Sequence, residues 1–122
     1  MGKKILVVDD EADYIQVVSV RLKANGYEVI TAMDGAEGFE KAKKDKPDLI
    51  ILDLMLPKID GFKVCGLLKK DARYAKTPIV IFTARAQEED RLLCEEMGAD
   101  AYLTKPFEAK ILLDKIQSLI GE

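Results

Sequence analysis

Five side chains able to do chemistry stand directly after apolar runs: Asp9 and Asp10 after Ile5-Leu6-Val7-Val8, Asp53 after Leu49-Ile50-Ile51-Leu52, Thr83 after Ile79-Val80-Ile81-Phe82, and Lys105 after Ala101-Tyr102-Leu103-Thr104. A short apolar run bounded by Pro47-Asp48 and Leu56-Pro57 reads as a strand buried on both faces of a parallel sheet. In open α/β sheets, ligands bind at the C-terminal ends of such strands. Taken singly, Asp53 suits a helix cap or turn as well as it suits a nucleophile or metal ligand. The other strand ends decide between these, because random capping would rarely gather acids, a hydroxyl and an ammonium on one edge.

Carboxylates about 5 Å apart repel by roughly 3 kcal/mol per pair at an effective dielectric near 20, so three of them need a cation or must protonate. Mg²⁺ fits: it binds through few carboxylates, keeps several waters and bridges to phosphate oxygens. With a Lys point charge and a Thr hydroxyl added, the set holds what phosphoryl transfer needs, namely a nucleophile, a metal and donors for the phosphoryl oxygens. Lys105 could instead be an ion-pair partner for a structural Asp, but three acids call for more than one cation.

Absences narrow the chemistry. The chain has no His, which removes imidazole bases, serine-type triads and most zinc sites. Its serines, Ser19 and Ser118, both fall within predicted helices. A formal charge of −3 marks neither a nucleic-acid nor a membrane surface. No apolar run nears the roughly 18 residues of a membrane span, and no cleavage signal precedes the first strand, so a cytoplasmic location is expected. Cys65 and Cys94 form no metal-type pair and fit apolar helix faces as buried thiols.

The elements that must position these groups alternate along the chain. Helical spacing of Ile15, Val18 and Leu22 predicts a helix from Glu11 to Asn25, stopped by Gly26. Tyr27 to Ala32 reads as a strand without a polar terminus, suited to a sheet edge. A thin stripe of Ala36, Phe39 and Ala42 predicts a weaker helix from Gly35 to about Lys44, with Gly38 as a liability and Pro47 as the stop. Further helices are predicted over Phe62 to Leu68, from Glu88-Glu89-Asp90 to Met97, and from Ala109 to Ile120. Strands alternating with helices imply one domain over residues 1–122, a five-stranded parallel (βα)5 sheet of the flavodoxin-like, doubly wound α/β class.

Asp9-Asp10, Leu52-Asp53-Leu54-Met55-Leu56-Pro57 with Asp60-Gly61, Thr83-Ala84, and Lys105-Pro106-Phe107, in that order on matching strands, resemble a response regulator receiver domain of two-component signalling, of the chemotaxis-regulator type. The resemblance implies strand order 2-1-3-4-5. It implies that Asp53 accepts a phosphoryl group from a partner histidine kinase or phosphotransfer protein, and that Asp10, Asp53 and the Met55 backbone carbonyl hold Mg²⁺, with Asp9 assisting through water. Thr83 and Lys105 would contact the phosphoryl group, and the Lys105-Pro106 bond would be cis. Tyr102 matches the switch aromatic that turns inward with Thr83, although a surface strand Tyr is its plain alternative. Output would pass through the surface of the fourth helix, fifth strand and fifth helix to an effector domain or protein, with room for a phosphorylation-dependent dimer. The donor phosphohistidine must then belong to another protein.

Other functions meet specific objections. A nucleotide binder of this fold needs Gly and Ser/Thr donors after the first strand, where Asp9-Asp10-Glu11 would repel phosphate. A Mg²⁺-dependent aspartyl phosphohydrolase would carry a second acid where Met55 stands. An adaptor that is never phosphorylated would not require the full set of acids, Thr and Lys. Met55 and Arg85, each two residues beyond a site residue, are best placed to orient or exclude a water attacking the acyl phosphate, and neither accepts a proton well, so slow self-dephosphorylation is expected.

Overall fold

The computed structural model describes residues 2–85, 87–106 and 108–121; Phe107 of the Lys105-Pro106-Phe107 motif lies outside them. Within them, β1 (Lys4–Val8), α1 (Ala12–Ala24), β2 (Glu28–Ala32), α2 (Gly35–Asp45), β3 (Leu49–Leu52), α3 (Gly61–Lys70), β4 (Ile79–Thr83), α4 (Glu88–Glu96), β5 (Ala101–Thr104) and α5 (Ala109–Ile120) alternate as the sequence predicts. The strands form one parallel sheet ordered β2-β1-β3-β4-β5. The strand without a polar terminus, β2, is indeed an edge.

Side chains of a strand alternate between the two faces, and here the alternation sorts the core into two layers. Leu6, Val8, Ile50, Leu52, Ile79 and Ile81 pack under α2, α3 and α4 with Val64, Leu68 and Cys94. Their neighbours Ile5, Val7, Leu49, Ile51, Val80 and Phe82 pack under α1 and α5 with Val18, Leu22, Leu112 and Ile116. Both faces are covered, which is why the central strands are apolar without interruption. At about 25 cal/mol per Å² of apolar surface removed from water, this burial is the main drive for folding. The same burial pushes the Cys65 thiol up to about 12 and the Cys94 thiol to about 11, so both stay protonated and pack as small apolar groups.

Local signals set the connections. Asp34 and Asp60 each accept a hydrogen bond from a first-turn amide, Glu37 at 2.8 Å and Lys63 at 2.9 Å, a cap that stabilises a helix by about 1 kcal/mol. Gly38, a cost to helix propensity, is required by packing: a Cβ there would meet Val8 Cγ1 at 2.8 Å, so the glycine lets α2 approach β1. The stop of α2 comes one residue before Pro47, at Lys46 with φ 47°, because a residue preceding proline is driven out of the helical region.

Gly61 links the fold to the site. A Cβ on Gly61 would lie 2.0 Å from the Asp53 carbonyl oxygen and 2.7 Å from Leu54 Cα, both backbone atoms, while its amide donates to Leu54 O at 2.9 Å. Gly61→Ala should therefore lower stability by about 1–3 kcal/mol, the usual cost of overpacking, in urea unfolding. A variant as stable as the wild type would show that the segment bearing Asp53 can yield without cost.

Candidate functional site

Register alone brings the acids together. Val8 pairs with Leu52 and Leu52 with Ile81, so the residues that follow leave the sheet side by side. Backbone bonds extend the ladder one step past the strands: Asp53 N donates to Val8 O at 3.0 Å, Asp9 N to Ala32 O at 3.0 Å and Lys105 N to Thr83 O at 2.8 Å. Thr83 pairs with Thr104, which sets Lys105 over the same edge.

The Lys105 ammonium is the hub. Its Nζ lies 2.8 Å from Asp9 Oδ2, 2.8 Å from Glu11 Oε1 and 3.3 Å from Asp53 Oδ2. Lys105, Asp9 and Asp53 side chains are all almost fully buried, at 4%, 5% and 6% exposure, so their charges are poorly screened by water. Burial alone would lower the Lys105 pKa, but hydrogen bonds to Asp9 and Glu11 and the field of Asp53 outweigh it and hold the ammonium firmly charged. Burial is the largest effect on Asp9 and raises its pKa, helped by Asp53; Lys105 and the Glu11 amide pull it back. The edge is thus a buried charge cluster short of positive charge.

Asp10 is exposed at the mouth, and one carboxylate oxygen from each of Asp9, Asp10 and Asp53 lies within 4.8 Å of the others. An all-oxygen donor set of this size, two buried and one solvated, fits a hard divalent cation that keeps part of its water shell. Thr83 is fully buried, and its Oγ1 accepts from Arg85 N at 3.3 Å. Met55, 57% exposed, lines an open cleft beside the acids with Asp10, Asp60, Phe62 and Arg85; its amide donates to Asp53 Oδ1 at 3.3 Å. The Tyr102 hydroxyl donates to the Arg85 carbonyl oxygen, placing the ring against the β4–α4 connection. The Lys105–Pro106 peptide is cis.

Four contributors were not singled out in the sequence. Glu11, at the N-cap of α1, makes no capping bond with its side chain and reaches Lys105 instead. Tyr14 and Phe82 pack edge to face, with the Lys105 ammonium 4.1 Å from the Tyr14 ring centre and 5.9 Å from that of Phe82. Such faces attract a partly desolvated cation. Asp90, which reads as a helix-dipole acid, is buried and grips Arg85 through both carboxylate oxygens. The run Asp9-Asp10-Glu11 could have suggested Glu11; the aromatic contacts had no linear signal.

Fold and charge pattern together define a class, the open parallel α/β domains with an acidic, lysine-bearing pocket at the C-terminal edge of the sheet. The chain belongs to the response regulator receiver domain family, whose model matches residues 5–117, and is a phosphorylation-dependent signalling switch. It is 45% identical over 120 residues to the alkaline phosphatase synthesis transcriptional regulatory protein PhoP of Bacillus subtilis, covering 98% of this chain but 49% of that regulator. The chain thus spans about half the length of that relative. A receiver domain protein (CheY-like) from Methanospirillum hungatei superposes with a TM-score of 0.93 at 29% identity, over 99% of this chain and 95% of that one. The receiver domain of the sensor histidine kinase PA1611 from Pseudomonas aeruginosa, solved with a magnesium ion coordinated in its active site cleft, superposes at 0.91 and 31% identity over the whole of both chains. Receiver domains take phosphoryl groups from histidine kinases, bind Mg²⁺ at an acidic pocket and regulate effector domains.

Removing the hub tests the charge balance. Lys105→Met should cost about 3–5 kcal/mol, the usual effect of stripping one partner from a buried ion pair, and Mg²⁺ should restore more stability to the variant than it adds to the wild type. Urea unfolding with and without Mg²⁺ reads both; an equally stable variant would mean that the acids do not depend on the ammonium.

Proposed function

We propose that this domain accepts a phosphoryl group on Asp53 from the phosphohistidine of a partner histidine kinase or phosphotransfer protein, and that the change is read on the surface of α4, β5 and α5. One observation carries the residue-level reading: a buried Asp53 carboxylate shares a single ammonium, Lys105, with Asp9. In the transfer, an Asp53 oxygen forms the new P–O bond as the donor P–N bond breaks, and the imidazole departs with its electron pair and takes up a proton. Mg²⁺ when bound neutralises charge on the phosphoryl oxygens. Asp9, Asp10, Asp53 and the Met55 carbonyl would hold it.

The chain's own residues divide the remaining work. Lys105, raised in pKa and held charged, can transfer its contact from Asp53 to a phosphoryl oxygen without a change of protonation. Thr83 supplies a buried hydroxyl whose proton is free to turn toward that group, because its oxygen, not its hydrogen, is engaged by Arg85 N. Tyr102 follows Thr83 as the switch aromatic. The α4-β5-α5 surface offers a groove lined by Glu88, Arg91, Tyr102, Leu103 and Ile111, suited to an effector domain or protein or to a phosphorylation-dependent dimer. A cytoplasmic location and a single domain over residues 1–122 complete the reading; among the described residues no helix is long and apolar enough to cross a membrane.

Mass spectrometry after incubation with a small acyl-phosphate donor and Mg²⁺ should show one added phosphoryl group, lost in Asp53→Asn. Retention of the adduct in that variant would move the acceptor elsewhere. Mg²⁺ should raise the melting temperature by mass action, and Asp10→Ala should abolish the shift. An undiminished shift would remove Asp10 from the metal site.

Met55 and Arg85 set the lifetime in this reading. An exposed thioether at the cleft is at most a weak hydrogen-bond acceptor for an attacking water. Decay of phosphorylated Met55→Asn and Met55→Glu should run severalfold faster than wild type, and equal or slower decay would strip Met55 of the role.

A further inference from the structure

Arg85 occupies a junction that phosphorylation alone does not explain. Its amide donates to Thr83 Oγ1 at 3.3 Å, its carbonyl accepts from Tyr102, and its side chain lines the cleft shared by Asp10 and Met55 with the guanidinium 6.0 Å from the centre of the Phe62 ring. Yet the fork of that guanidinium is engaged elsewhere. Nε lies 2.9 Å from Asp90 Oδ2 and Nη2 lies 3.0 Å from Asp90 Oδ1, a bidentate pair in which the Asp90 side chain is 10% exposed.

Asp90 sits in the first turn of α4, and this helix is held lightly. Of its described side chains only Asp90 and Cys94 are buried, and Gln87 at its N-cap makes no capping bond with its side chain. Leu92 and Leu93 are left 49% and 42% exposed. Among the described residues the Arg85–Asp90 pair is therefore a side-chain tie between the start of α4 and the β4–α4 connection, beside the backbone bonds from Asp90 N and Arg91 N to Gln87 O. A buried carboxylate is tolerated there because a cation faces it.

We infer that Asp90 is a positioning residue that holds Arg85 in the resting state and makes filling the Asp53 site and releasing the first turn of α4 one linked event. The inference rests on the reading of Asp53 as phosphoacceptor. A phosphoryl group brings a charge of about −1.5 to −2 to the cleft that Arg85 lines, and a guanidinium fork favours phosphate oxygens as strongly as a carboxylate. The Nε–Nη2 edge that grips Asp90 can face only one of the two acids at a time. If Arg85 turns to the phosphoryl group, Asp90 is left buried without its cation, and the remedy open to it is hydration through outward movement of the α4 first turn. Reciprocity then requires that weakening the pair strengthen binding at the Asp53 site by the same factor.

Beryllofluoride with Mg²⁺, a phosphoryl mimic, gives an equilibrium readout. Asp90→Asn keeps the shape of the side chain and removes its charge, so Arg85 no longer has to be drawn from a buried anion. The variant should bind beryllofluoride roughly tenfold more tightly than wild type, the factor that one hydrogen bond to a charged group is worth. The gain should vanish when Arg85→Ala and Arg85→Ala/Asp90→Asn are compared, which closes a double-mutant cycle. The amides of Asp90, Arg91 and Leu92, the first that helix bonding can protect, should lose hydrogen-exchange protection when the wild type binds the mimic, and should start less protected in Asp90→Asn. A purely structural Asp90 would lower stability and leave the affinity equal or weaker, and that result overturns the inference, as does a gain that persists without Arg85. Asp53→Asn must abolish binding in every background; if it does not, or if the wild type fails to bind, the phosphoacceptor reading fails and takes the inference with it.

Discussion

Everything at this site depends on how one ammonium is shared. Lys105 is buried among Asp9, Asp53 and Glu11 on two aromatic faces, and among the described residues no other cation pairs with Asp9 or Asp53. Two buried carboxylates held by one positive charge form an arrangement that satisfies neither in full. Any further positive charge finds a favourable place there, and any group that draws Lys105 away must bring compensation. The pocket is a structure with a built-in demand, and that demand is its chemistry.

Meeting such a demand requires a frame that does not give. The four residues of β3 are all buried, and those of β4 likewise. A one-residue slip in either strand would carry its whole apolar set to the wrong layer. Register is therefore strongly specified, and because Asp9 and Asp53 follow the last paired residues directly, the same apolar packing that stabilises the sheet also sets the spacing of the acids. Core and site are one constraint seen from two ends of the strands. The close seats of Gly38 on Val8 and Gly61 on the Asp53 backbone serve the same purpose, bringing helices near enough to leave the strand ends no slack.

This explains what could be read from the chain in advance. Apolar runs that end in chemistry are a local signal, so the strands, their polar termini and the alternation with helices were legible, as was the edge position of β2. Convergence of Asp9, Asp10, Asp53, Thr83 and Lys105 followed from topology, since parallel strands present all their C-terminal ends on one side. The value of Gly38 was not legible, because propensity counts only its cost and the benefit lies in a strand far away in sequence. Neither was Asp90, whose position in a first turn explains an acid without any partner; its burial and its grip on Arg85 arise from tertiary packing. Tyr14 and Phe82 read as core residues, and their second use, facing a cation, depends on a lysine that arrives from the far end of the chain.

Rigidity is unevenly distributed, and the distribution has a direction. The acids rise from strands buried on both sides, while α4 rests on two buried side chains, one of them charged. A change of charge at the pocket cannot deform β3 or β4 without opening the core, so the compliant route runs through the β4–α4 connection, where Thr83, Asp90 and Tyr102 are each bonded to Arg85. Each of those contacts is polar and can be exchanged for another of similar strength, which apolar packing cannot do. A packed sheet with a polar hinge at one corner turns a local electrostatic event into movement of one helix.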